Sequence, residues 1–174
     1  MLRNAHAYTT FYLRLALGAG LLSAVADRFG FWGPPGTALV AWGNFHNFLN
    51  YTTVLNPWLP ASWIPSIGWS TTICEAAFGV ALILGLRTKL AALASGLMTL
   101  LFALAMASTL GVKAPLNYTV FALSAGALLL AGVGPYPWSL DGLMRSYARR
   151  REHMPLAGHA IYGYGTRARS RQAS

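Results

Sequence analysis

Four stretches of the chain are apolar almost without interruption: roughly Ala5 to Ala26, Ile67 to Leu86, Leu90 to Leu110 and Leu116 to Val133. A helix needs about 20 mostly apolar residues to cross the hydrocarbon of a bilayer, and each stretch is close to that length. The composition points the same way. Only 10% of the 174 residues are charged, and four of them are acids, where a soluble domain carries roughly 25%. Such a chain cannot clothe a water-facing surface. The predicted class is all-α, an integral membrane four-helix bundle over residues 1–143, with a tryptophan-rich external segment (29–65) between its first two helices. Arg87, Thr88 and Lys89 alone join the second and third runs, which predicts a tight antiparallel hairpin.

The net charge of +9 raises the question of nucleic acid, but its distribution argues against that partner. Seven of the thirteen basic residues follow the last apolar run: Arg145, Arg149, Arg150, Arg151, Arg167, Arg169 and Arg171. Arg3 precedes the first run and Arg87 and Lys89 sit in the hairpin, whereas Phe29 to Pro65 holds no Lys or Arg. Cytoplasmic segments carry the Lys/Arg excess, so both termini are expected inside and the long segment outside. Arginines beside a membrane also favour anionic headgroups, which makes membrane lipids the expected partners. An alternative reading makes the first run a secretory signal, with Ala24-Val25-Ala26 as its cleavage site; Tyr8, Phe11 and Tyr12 are unusual in such a leader.

The external segment FWGPPGTALVAWGNFHNFLNYTTVLNPWLPASWIP holds Trp32, Trp42, Trp58 and Trp63, and Trp69 follows at the head of the second helix. Tryptophan gathers at the membrane–water boundary. Ala41 to Val54 is expected as a short helix in that plane, ended by Asn56-Pro57, and covering the outer mouth of the bundle as an anchor or as a lid. Residues 144–174 form a basic cytoplasmic tail, expected to be largely disordered from about Pro155.

Glu75 lies near the middle of the second run, where an ionisable side chain costs a few kcal/mol unless it has a partner. Thr71, Glu75 and Gly79 are spaced by four, as are Thr10, Arg14 and Gly18 in the first run, so each helix presents a stripe of hydroxyl, charge and glycine. Placing Arg3 and Arg87 at the same boundary puts Arg14 and Glu75 level and predicts that they pair, directly or through water, with each glycine opposite the other helix's threonine. Such a pair fixes helix register whether or not it does chemistry. Asp27 and Arg28 read first as residues of the outer boundary and second as ligand contacts. Trp69 and Asn117, at the outer starts of the second and fourth helices, are further candidate ligand contacts.

Several chemistries are excluded. Cys74 is alone, so the chain has no internal disulfide and no Cys-x-x-Cys redox pair. His6, His46, His153 and His159 have no metal-ligand spacing, and no paired histidines stand on the helices to hold haem. No Gly-rich phosphate loop occurs in a strand–helix context.

RLALGAGLLSAVADRFG from Arg14, CEAAFGVALILGLRTKLAALASGLMTLLFALAM, and the close NYTVFALSAGALLLAGVGPYPWSLDGL, with Asn117, Gly134, Pro135, Ser139 and Asp141, resemble the DoxX family of small bacterial membrane proteins. The likeness spans about Arg14 to Leu143, with a longer external segment than the family's. Arg14 and Glu75 fall where that family has its helix-one arginine and helix-two glutamate. The resemblance implies a bacterial inner-membrane bundle related to quinone-linked oxidoreductase subunits. Quinone would be the bound redox group, and a partner subunit would supply electrons, since the chain offers no redox centre of its own. On that view Glu75 and Arg14 are the catalytic pair and homo-oligomers are one form of assembly. A non-catalytic scaffold whose basic tail docks a cytoplasmic partner is the rival class. A lipid isomerase or hydrolase is a third, needing Asp27 as a second carboxylate.

Overall fold

The computed structural model describes residues 2–152, and all regular structure among them is helical. Helix α1 runs Leu2–Arg28, α2 Phe45–Leu55, α3 Ile64–Leu84, α4 Thr88–Leu110, α5 Lys113–Asn117, α6 Val120–Gly132 and α7 Leu140–Glu152, with one 3-10 turn at Ala61–Trp63. Three helices, at Ala5–Arg28, Ala61–Leu84 and Thr88–Leu110, are long enough and apolar enough to cross a membrane.

The fourth apolar run departs from the expected single span. Thr119 stands at φ 55°, in the left-handed region, and separates the five-residue α5 from the 13-residue α6. Upstream, Gly111 at φ 85° ends α4, and Pro115 has no amide hydrogen with which to continue it. At the other end of the chain α1 is longer than expected and carries Asp27 and Arg28 within its last turn. The α7 helix occupies the first part of the basic segment, and the tail beyond Glu152 lies outside the described residues.

Packing is arranged in two close pairs, α1 on α3 and α4 on α6, linked by the α3–α4 hairpin. In the first pair glycine meets glycine: a Cβ on Gly18 would lie 2.8 Å from the Gly79 carbonyl oxygen, and one on Gly79 3.1 Å from that of Gly18. In the second, Ser124 Oγ donates to the Gly96 carbonyl across 2.8 Å, and Gly96 lies against Leu128. Small residues let helices approach where side chains of lipid-like polarity give no hydrophobic drive. Leu17, Leu82, Ala92 and Leu130 form one buried cluster, and Leu55, Ala103, Met106 and Val120 another beneath α2.

The hairpin turn is held from α7. Asp141 Oδ1 accepts from the Arg87 amide and Oδ2 from the Thr88 amide, both at 2.7 Å, while the Asp141 amide donates to the Gly85 carbonyl. These are two of the open amides at the start of α4, which a carboxylate suits in charge as well as geometry.

Candidate functional site

The Gly18–Gly79 approach sets the register of α1 against α3, and that register separates the two residues expected to pair. Arg14 comes level with Gly85, where a Cβ would lie 2.7 Å from Arg14 Nη1. Glu75 lies ten residues before Gly85 in the sequence, so roughly 15 Å of helix axis stands between the two charges. Arg14 instead donates from Nη2 to the Trp138 carbonyl (2.7 Å) and from Nη1 to that of Pro137 (3.4 Å), with its guanidinium over the Phe11 ring. It is buried, lines neither cleft beside Glu75, and ties α1 to the α6–α7 connection. The expectation that glycine faces threonine fails for the same reason: the glycines face each other. Residues before Arg14 extend past the end of α3, where Tyr8 and Phe11 pack on Trp138, so Arg3 does not share a level with Arg87.

The partner of Glu75 is Arg28, whose Nη2 forms an ion pair with Oε2. Arg28 Nη1 donates to Thr72 Oγ1 across 2.7 Å, and that hydroxyl donates to the Gly68 carbonyl. The guanidinium lies 3.8 Å from the Phe48 ring centroid and 5.3 Å from that of Trp42. A weakly hydrated, planar cation suits such a site, since ring faces attract it electrostatically. Arg28 is 2% exposed, yet its Nε has no hydrogen-bond partner among the described residues.

Asp27 belongs to the same construction from behind. Its Oδ2 accepts from the Ala41 and Trp42 amides at 3.1 and 2.9 Å, which pins the returning chain where Trp42 covers Arg28. The start of α2 is fixed separately, by Asn44 Oδ1 accepting from the Asn47 amide. Residues 45–55 then form the helix expected in the external segment, with Phe48, Thr52 and Leu55 on its buried face.

Two clefts meet at Glu75. One, of about 150 Å³, lies among α1, α4 and α6 and is lined mainly by aliphatic side chains, including Leu17, Leu21, Leu123 and Ala127, with Arg28, Trp42 and Glu75 at its polar end. The other, of about 230 Å³, lies beneath α2 between α3 and α4. Trp69 and Asn117 line neither cleft: Trp69 packs on Phe45 with the rings tilted by 36° and centroids 4.5 Å apart, and Asn117 is exposed at the end of α5. The site thus unites Arg28 and Glu75, with Asp27 as support, and leaves out Arg14, Trp69 and Asn117. Trp42 and Phe48 complete it; their signal in the sequence was aromatic density with no periodicity to say which rings turn inward.

No protein-family model, curated protein or solved structure matches the chain.

Proposed function

We propose that this chain is a multi-pass bacterial inner-membrane protein, DoxX-like, whose α1, α3, α4 and α6 form a four-helix bundle holding a quinone or a similar lipid, with both termini cytoplasmic. In this reading it is the membrane subunit of a quinone-linked oxidoreductase system. The observation that carries it is the buried Arg28–Glu75 pair at the polar end of a mainly apolar cleft.

The residues present suit such a ligand. A cavity of about 150 Å³ with apolar walls takes a single ring, and the unpartnered Arg28 Nε is a donor for a ring oxygen. A bound quinone supplies two-electron redox chemistry, with electrons drawn from a partner subunit. With such a group bound, Arg28 would orient its oxygen and offset the charge of Glu75, and the Glu75 carboxyl group would exchange a proton at that oxygen. Trp42, held by Asp27, keeps water from the pair on its side. Arg14 has no part in this chemistry.

Mass spectrometry of lipids extracted from gently purified protein tests the proposal. A stoichiometric quinone is expected in the wild type, and it should be lost from Leu123→Trp, which fills the cleft, in protein of unchanged helicity. Glu75→Gln should keep its fold and lose coupled reduction. Protein carrying no quinone would favour the scaffold reading instead, which the exposed arginines of α7 (Arg145, Arg149 and Arg151) support as a docking face for a cytoplasmic partner.

A further inference from the structure

The second cleft differs from the first in what it offers. Along α3 it follows Ile67, Thr71 and Glu75, each one turn beyond the last, and α2 faces them with Thr52 and Asn56. Thr99 of α4, which borders the first cleft as well, adds a third hydroxyl. Thr52 donates to the Phe48 carbonyl, Asn56 to that of Thr52 and Thr99 to that of Ser95, so both hydroxyl oxygens and the Asn56 carbonyl keep lone pairs for another donor. Polar groups thus recur from Asn56, where α2 ends, to Glu75. A water occupies about 30 Å³ of liquid and needs two to four polar partners, so some 230 Å³ with this lining holds several.

Ionisable side chains within spanning helices face a bundle interior or a water-filled cavity. Glu75 lines both clefts: beyond the Arg28 end the first sets only Ser95 and Thr99 among mainly apolar walls, whereas the second adds Thr52, Asn56 and Thr71 to Thr99. We infer that the cleft beneath α2 is a water-filled passage reaching Glu75 from the Asn56 end, and that Glu75 divides this wet side from the apolar cleft. A proton arrives there as hydronium, the carboxylate takes it and a water molecule remains; Arg28 keeps its own charge. The inference deepens the reading above, resting on it only in taking α3 and α4 as membrane-spanning. It adds that protons reach the site from one face of the membrane alone. Arg28 from α1 is the charged group that faces Glu75; α2 and α4 present hydroxyl, amide and apolar side chains to it.

Thiol accessibility in lipid nanodiscs tests this. In a Cys74→Ala background of the full chain, Thr71→Cys and Leu123→Cys place one thiol in each cleft. A sulfonate-bearing thiosulfonate reacts with thiolate, which forms only where water reaches, so Thr71→Cys should react at least about tenfold faster than Leu123→Cys. An uncharged, lipid-soluble maleimide should narrow or reverse that order. Equal rates with the charged reagent, or faster reaction at Leu123→Cys, would overturn the inference. Asn56→Cys, at the mouth, serves where Thr71→Cys does not fold, with the same two outcomes. These rates do not depend on a bound quinone, so failure of the ligand reading and failure of the passage are seen separately.

Discussion

Removing the Arg28 guanidinium leaves the Glu75 carboxylate, only 13% exposed, with no cation. Breaking one side of a buried pair costs about 3 kcal/mol or more, whereas replacing both members by apolar or neutral groups of similar volume is often neutral. Arg28→Met is therefore expected to lower the thermal midpoint in detergent substantially, and the double variant Arg28→Met, Glu75→Gln to recover most of the loss. Losses that simply add would show that the two side chains are not coupled. Arg14 behaves differently, because its partners are carbonyls and not a carboxylate; no acidic variant rescues it. Much of this was readable beforehand. A lone acid in an apolar helix demands a cation, and that demand is local chemistry. Which cation answers it depends on how far α1 slides along α3, and nothing in the residues around Glu75 specifies that distance.

Element register rests on the glycine contact. Gly18→Ala drives a methyl to 2.8 Å from the Gly79 carbonyl oxygen, a backbone neighbour that cannot turn aside, and overpacking of this kind costs typically 1–3 kcal/mol (about 2 here). Gly20→Ala, with no atom within 4 Å of the added carbon, should be neutral or stabilising by up to about 1 kcal/mol. Equal midpoints for the two variants would remove glycine packing as the determinant of register. The charged stripes were visible in the sequence as spacings of four, but spacing fixes the face of a helix and leaves its height open. The boundary assumption failed because α1 overhangs α3, an extension that Tyr8 and Phe11 stabilise on Trp138. The hairpin join was legible from Arg87-Thr88-Lys89 alone; its hold by Asp141 came from more than 50 residues away. Burial pushes the Asp141 carboxyl up, but hydrogen bonds from Thr88 and Arg87 and the nearby Arg145 more than offset this and leave it below the ordinary aspartate value. A group lowered in the folded state stabilises fully above its unfolded value, about 4, and loses that contribution as pH falls further through the folded one. Thermal midpoints of the wild type should therefore drop below pH 4 by more than those of Asp141→Asn. At neutral pH that variant should lose about 1 kcal/mol of capping, since water reaches and screens the site. Parallel pH profiles would sink this account.

Taken whole, the chain builds its two close helix pairs from small residues and places Glu75 where two clefts adjoin. Composition alone was enough for the helical class and for three helices of spanning length. It was not enough for the fourth run, because hydropathy averages over the left-handed turn at Thr119 and counts α5 and α6 as one. That break bears on the surrounding lipid. At 1.5 Å per residue the 13 residues of α6 reach only about 20 Å, against hydrocarbon about 30 Å thick. If α6 faces lipid as the proposed bundle requires, acyl chains beside it would shorten or splay to meet it, while those beside α4 would not. The molecule would then carry a lopsided annulus, with a local dimple in the leaflet along the same flank on which Leu123 borders the apolar cleft.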